Sequence, residues 1–222
     1  MDFFKLIQSL DELLFEVLSW LLFYPVTLWR VIVHPVRTLR YAEDELQEEP
    51  DEQFSDSLSP PLFLLITLVL IHLAELSWIG QSDLVADRVG LHALVSSDTN
   101  VIVLRSMIFG LFPLLLARRY VKARGERVDR KTIKTPFYAQ CFATAPFAIL
   151  ISASSLLARK FAEAALWPVV ICFVGGLLWF GLIQVEWFRT RLKVSRWAAF
   201  RHSSVVMAQG VFALLFVGWA LD

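Results

Sequence analysis

Long apolar stretches alternate with short polar ones along the chain, and five of the apolar stretches are long enough to cross a bilayer. They run from Leu62 to Ile79, from about Thr99 to Ala117, from about Pro136 to Ala158, from about Ala164 to Val185 and from about His202 to Leu221. Each is close to the ~20 residues that a helix needs to cross the hydrocarbon core. Residues 2–24 carry a different pattern. Lys5, Ser9, Glu12, Glu16 and Ser19 are spaced by four, three, four and three, which makes a polar stripe on a helix otherwise built of Phe, Leu, Ile, Val and Trp. Such a helix fits the plane of the membrane interface. A true crossing by residues 13–29 is the alternative. Pro25 and Pro35 are expected to break this region into short pieces, leaving Arg30, Arg37 and Arg40 at headgroup level. The predicted fold is therefore all-α: a polytopic transmembrane bundle of five spans with an N-terminal interfacial amphipathic helix. It divides into an interfacial region (1–40), an acidic linker (41–60) and the transmembrane domain (61–222).

Composition strengthens the membrane assignment. Of 222 residues, 57% are hydrophobic and 19% charged, and the mean hydropathy is +0.59. Soluble domains run near 45–50% apolar and about 25% charged. One water-soluble core of this size cannot hide such an excess, which disfavours a cytosolic enzyme, a disordered chain and a nucleic-acid binder. Cys141 and Cys172 both lie in apolar stretches, without metal-ligand spacing or the look of a disulfide framework. No metal or cofactor is implied. The opening MDFFKLIQSLDELL lacks a basic n-region, so no cleavable signal peptide is expected.

Charge sets the orientation. Acids and bases balance at 21 each, but they are segregated. Glu43, Asp44, Glu45, Glu48, Glu49, Asp51, Glu52 and Asp56 crowd one stretch that holds no base. Arg118, Arg119, Lys122, Arg124, Arg127, Arg130, Lys131 and Lys134 crowd another, and Arg189, Arg191, Lys193, Arg196 and Arg201 form a second basic loop. Two spans separate the basic loops, so both fall on one side. The positive-inside rule makes that side cytoplasmic, together with the N-terminal region, and puts the C-terminus outside. The expected location is a cell inner membrane, crossed several times. Trp78, Trp167 and Trp219 mark the outer interface, and Trp187 and Trp197 the inner one.

Few polar groups remain inside the spans. Glu75 in the first and Arg105 in the second fall at similar depth on antiparallel helices, which predicts an ion pair. His72 lies one turn from Glu75 on the same face. This spacing is compatible with a proton relay and, more simply, with a packing histidine. Gln140 and Gln209 are expected to be interhelical hydrogen-bond donors. His72, Glu75, Arg105 and Gln209 are the intramembrane polar candidates. Arg118, Arg119, Lys122, Arg124, Arg127, Arg130 and Lys131 are candidates for meeting anionic lipid, a cytosolic partner or the chain's own acidic linker in a clasp. No catalytic motif appears, neither HExxH, GxSxG, a Walker loop nor CxxC, so an enzyme is not the favoured expectation.

The stretch YPVTLWRVIVHPVRTLRY at 24–41, followed by SPPLFLLITLVLIHL at 59–73, resembles the Yip-domain superfamily of integral membrane proteins, including its bacterial branch. The resemblance implies a cytoplasmic N-terminal region, five spans and no catalytic residues. The expected function is a non-enzymatic inner-membrane protein that organises or assists a partner complex or the local lipid. Its partners would be membrane lipids, with a protein partner or further copies of itself, and not nucleic acid. The alternative is a transporter or permease component with a polar site near Glu75 and Arg105.

Overall fold

A computed structural model describes the backbone of residues 3–79, 98–161 and 166–221. Seven helices and no strand occur among them: α1 (Phe3–Val33), α2 (Pro35–Glu45), α3 (Pro60–Ile79), α4 (Asp98–Ala123), α5 (Arg130–Phe161), α6 (Leu166–Leu192) and α7 (Arg196–Leu221). The protein is an all-α bundle. Among the described residues, five stretches are long and apolar enough to cross a membrane: Asp11–Val33, Pro60–Ile79, Asn100–Ala123, Arg130–Phe161 and Leu166–Leu192. This set differs in membership from the five stretches read from sequence, because it takes in most of α1. Length and hydropathy thus admit the crossing by residues 13–29. Of the side chains near the end of α7, Trp219 among them, several lie outside the described residues, as does the expected loop at 80–98 apart from Asp98.

The bundle is organised around α5, which packs against α1, α2, α3, α4 and α6, while α7 lies on α4 and α6. Every residue of α5 from Ala139 to Ala148 is buried. A helix surrounded on all sides needs small residues where backbones approach, and Ala139, Ala143, Ala145 and Ala148 supply them. Pro146 sits within this helix without ending it, as neighbouring helices allow. Phenylalanines fill the space between helices. Phe147 of α5 stacks on Phe180 of α6 at 4.5 Å, and Phe112 of α4 meets the Phe147 ring edge-on at 5.2 Å. Gly210 lets α7 lie against that Phe112 ring, since a Cβ there would meet Cδ1 at 2.8 Å. Lipid tails are as apolar as these side chains, so close packing rather than the hydrophobic effect holds the helices together.

Three expectations need correction. Pro25 does not break the N-terminal region: α1 runs through it to Val33. The missing N–H frees only one carbonyl, that of exposed Leu21. Pro35 does mark a boundary, at the first turn of α2. Second, the basic stretch 118–134 is mostly helix. α4 ends at Ala123 with Gly125 in the left-handed region (φ 73°), where the Gly125 and Glu126 amides donate back to Lys122 and Val121. α5 then starts at Arg130, capped by the Asp129 carboxylate, which accepts from the amides of Lys131 and Thr132 at 2.9 Å. Third, Trp187 is buried, with 1% of its surface exposed, rather than facing headgroups. Trp78, Trp167 and Trp197 are exposed.

The acidic segment is not a free linker. Residues 41–45 belong to α2, and Phe54, Ser57 and Leu58 are buried beyond it. Phe54 takes a positive φ of 58°, and its amide donates to the Glu45 carboxylate. Tyr41 donates to Asp56 Oδ1 at 2.5 Å, and Arg30 reaches Asp56 Oδ2 at 2.9 Å. Leu58 donates to Thr27 Oγ1 at 3.4 Å. The segment is thus a folded cap across the ends of α1, α2 and α3.

Candidate functional site

Two polar regions lie at opposite ends of the bundle. At one end Glu75, in the last turns of α3, meets α4 and α5. Arg105 donates to one carboxylate oxygen of Glu75, forming the expected pair. Arg159 of α5 donates to the other oxygen at 2.5 Å. One carboxylate therefore ties three helices together. All three side chains are largely buried, at 10% exposure for Glu75, 16% for Arg105 and 21% for Arg159. In such surroundings a lone carboxylate would be costly to ionise, whereas two guanidinium partners satisfy both of its oxygens. Arg159 falls just past the predicted end of the third span at Ala158 and is not among the candidates read from sequence. Depth alone could have found it, since the end of α5 must reach the same level as the end of α3.

A cleft of about 240 Å³ adjoins this cluster, lined by Glu75, Arg105, Ile71, Ile149, Ser152 and Ser155 among others. Ser152, Ala153 and Ser155 line the cleft, whereas Ser154 is buried. His72 is buried one turn below Glu75 but does not line the cleft. Gln209 does not join the site at all: it lies exposed on α7. Its expected role passes to Gln184, an amide the sequence reading overlooked. Gln184 Nε2 donates to Gln140 Oε1 at 2.7 Å, across the buried contact between α6 and α5.

The other end carries the basic side chains. Arg118, Lys122, Arg124, Arg127, Arg130 and Lys131 are all exposed. Arg119 is half-buried and donates from Nε to His202 Nδ1 at 3.0 Å, joining α4 to α7. Arg124 pairs with Glu126 at 2.8 Å and also donates to the Tyr120 hydroxyl at 3.2 Å. The expected clasp between the acidic segment and residues 118–134 is replaced by a different one. Glu43 pairs with Arg191 at the end of α6 and accepts from the Trp187 indole at 3.2 Å. The reason is geometric: α2 packs on α5 and α6, so Glu43 faces the second basic segment rather than the first.

Two clefts open at this end. One, of about 370 Å³, lies between α1, α2 and the cap, and is lined by Arg30, His34, Arg37, Tyr41 and Asp56 among others. Burial pushes the Tyr41 hydroxyl well above its ordinary range, and its bond to Asp56 acts in the same direction. Asp56 is held below the usual carboxylate range: burial works to raise it, but the bonds from Tyr41 and Arg30 and the charge of Arg30 outweigh that. The second cleft, of about 540 Å³, lies among α4, α6 and α7 and is lined by Tyr120, Arg124, Thr190, Arg191, Lys193 and His202 among others. Among the described residues no group of three or more His, Cys, Asp or Glu side chains is placed to hold a metal ion. Comparison of the chain with protein-family models, with curated proteins and with solved structures finds no match in any of the three.

Proposed function

We propose that this chain is a multi-pass inner-membrane protein that organises or assists a partner complex or the lipid around it, without chemistry of its own. The observation that carries this proposal is the use of Glu75. Its two oxygens are engaged by guanidinium groups from two other helices, so the carboxylate acts as a fastener within the bundle. Most of the exposed bases gather at the opposite end, around the docked acidic cap and the two clefts. In the proposed orientation that end is cytoplasmic, as the positive-inside rule requires. Membership of the Yip-domain superfamily belongs to the same proposal and rests on the segments at 24–41 and 59–73.

Affinity purification of the full chain in mild detergent tests it. A stoichiometric protein partner or a retained lipid class is the expected result. Reporter fusions at residue 125 should read cytoplasmic and at residue 90 extracytoplasmic. A second reading, a transporter or permease component, is favoured by one observation, the cleft that touches Glu75, Arg105, Ser152 and Ser155. If the chain purifies alone and Glu75→Ala or Arg105→Ala alters solute flux in proteoliposomes, the second reading replaces the first.

A further inference from the structure

We infer that the cleft among α4, α6 and α7 is a binding site for the phosphate headgroup of an anionic phospholipid. The inference rests on the membrane reading above, with the basic end at headgroup level, and it gives the lipid arm of that reading a specific place.

Four cations stand in or beside the cleft: Arg119, Arg124, Arg191 and Lys193. The carboxylates paired with them are two, Glu126 on Arg124 and Glu43 on Arg191. The local balance therefore stays positive, and Arg40 and Arg201 add to the field at Arg191 and His202. Donors suited to phosphate oxygens are already fixed. Arg119 donates to His202 Nδ1, which leaves the imidazole proton on Nε2, and the ring is stacked on Phe188 at 5.6 Å. The Tyr120 hydroxyl accepts from Arg124 and keeps its own proton to give.

Lys193 supplies the second, independent observation. It follows the end of α6 with a positive φ of 54°, in the left-handed region where glycine or asparagine normally ends a helix. A purely structural stop would favour glycine here. Lys193 stands there instead, exposed and lining the cleft, where its ammonium can reach a bound anion. A lipid source is favoured over free phosphate by what lies four residues further along the chain. Trp197 and Phe200 stack at 5.7 Å and are 74% and 50% exposed, an apolar ledge suited to the interface beside a headgroup. Basic pockets between transmembrane helices on the cytoplasmic side are a recurring means of holding such headgroups.

The test uses the full chain purified in a neutral detergent, with thermal unfolding followed while short-chain phosphatidylglycerol, short-chain phosphatidylcholine or inorganic phosphate is added. Phosphatidylglycerol should raise the midpoint saturably, and phosphatidylcholine and phosphate should not. K193G should unfold no earlier than the parent without lipid, because glycine relieves the backbone, yet bind phosphatidylglycerol about fivefold more weakly, the value of one cation near an anionic surface. K193R should bind as the parent does. Equal binding of the two lipids, or unchanged binding by K193G, would overturn the site. An equal shift from phosphate alone would overturn the lipid as its source. Carbonate extraction separates the two levels of the argument. If the chain stays in the membrane pellet while K193G binds normally, the site falls and the membrane reading stands. Release of the chain by carbonate would remove both.

Discussion

The two ends of the bundle use charge in opposite ways. Around Glu75 three ionised side chains are largely withdrawn from solvent, and each is held by a partner on another helix. At the other end the Arg30–Asp56 pair is 42% and 56% exposed, Glu43 pairs with one guanidinium group rather than two, and clefts remain between the pairs. A buried pair is strongly specified, because removing one member strands the other in a low dielectric. An exposed pair contributes little and is screened by salt. The Glu75 end is therefore suited to holding the bundle together, and the basic end to meeting something outside it.

That contrast is broken most directly at Glu75. Replacing it with alanine removes the carboxylate that joins Arg105 to Arg159. A loss of about 3–5 kcal/mol is expected, the cost of breaking a buried ion pair by removing one partner. Unfolding of the purified chain in mixed micelles measures it, and a loss under about 1 kcal/mol would show that the cluster is solvated like its counterpart at the other end. Next in size is Gly210→Ala, which drives a methyl group into the Phe112 ring where α7 crosses α4. Overpacking of this kind costs about 1–3 kcal/mol. Trimming the ring by Phe112→Leu should restore much of the loss in the double variant. Gly175 and Gly181 have open space around them, so alanine there should be close to neutral.

The membrane-crossing character was legible in the sequence because it needs only length and hydropathy, and the boundaries of α3 follow from Pro60 and Ile79 almost to the residue. The Glu75–Arg105 pair was legible for a similar reason, since antiparallel helices put residues of equal depth side by side. What escaped was everything set by how helices turn toward one another. Gln209 and Gln184 look alike in sequence, yet one faces outward and the other is fully buried against Gln140. The acidic stretch reads as a solvated linker by composition. Only the apolar side chains scattered in it, Phe54 and Leu58, hint that it folds back on the bundle. Glu43 chose Arg191 over the richer basic stretch because α2 packs beside α6, a fact of tertiary placement that no local pattern carries.

The exposed end gives smaller effects. Glu43→Gln removes the pair with Arg191, whose two side chains are 12% and 27% exposed, and it weakens the bond from Trp187. About 1 kcal/mol is expected, because the glutamine oxygen still accepts hydrogen bonds there, with hydrogen exchange quickening in α2 and not in α3. Glu75→Ala should cost more, because it takes the carboxylate from two guanidinium partners at once.

The smallest expected effect is local and depends on pH. Asp56 holds Tyr41 and Arg30 to the cap, and its folded pKa lies below the ordinary value of 3.8. A carboxyl group lowered on folding contributes stability that is fully present above its unfolded pKa and disappears as pH falls through the folded one. Protection of residues 46–58 against hydrogen exchange should therefore hold from neutral pH down to about 4 and fall only below it. Asp56→Asn should abolish that step while the remaining protection stays. Tyr41 acts with the opposite sign. Its folded pKa is raised, so its contribution is complete below pH 10 and is lost only in strong alkali. The cap should thus loosen at both pH extremes, through two different side chains of one hydrogen bond. Tyr41→Phe should remove the alkaline limb and, by taking away one of the bonds that lowers Asp56, move the acid limb to higher pH. If the acid limb did not move, Arg30 alone would be setting the Asp56 carboxylate, and the 2.5 Å bond from Tyr41 would have no part in lowering it.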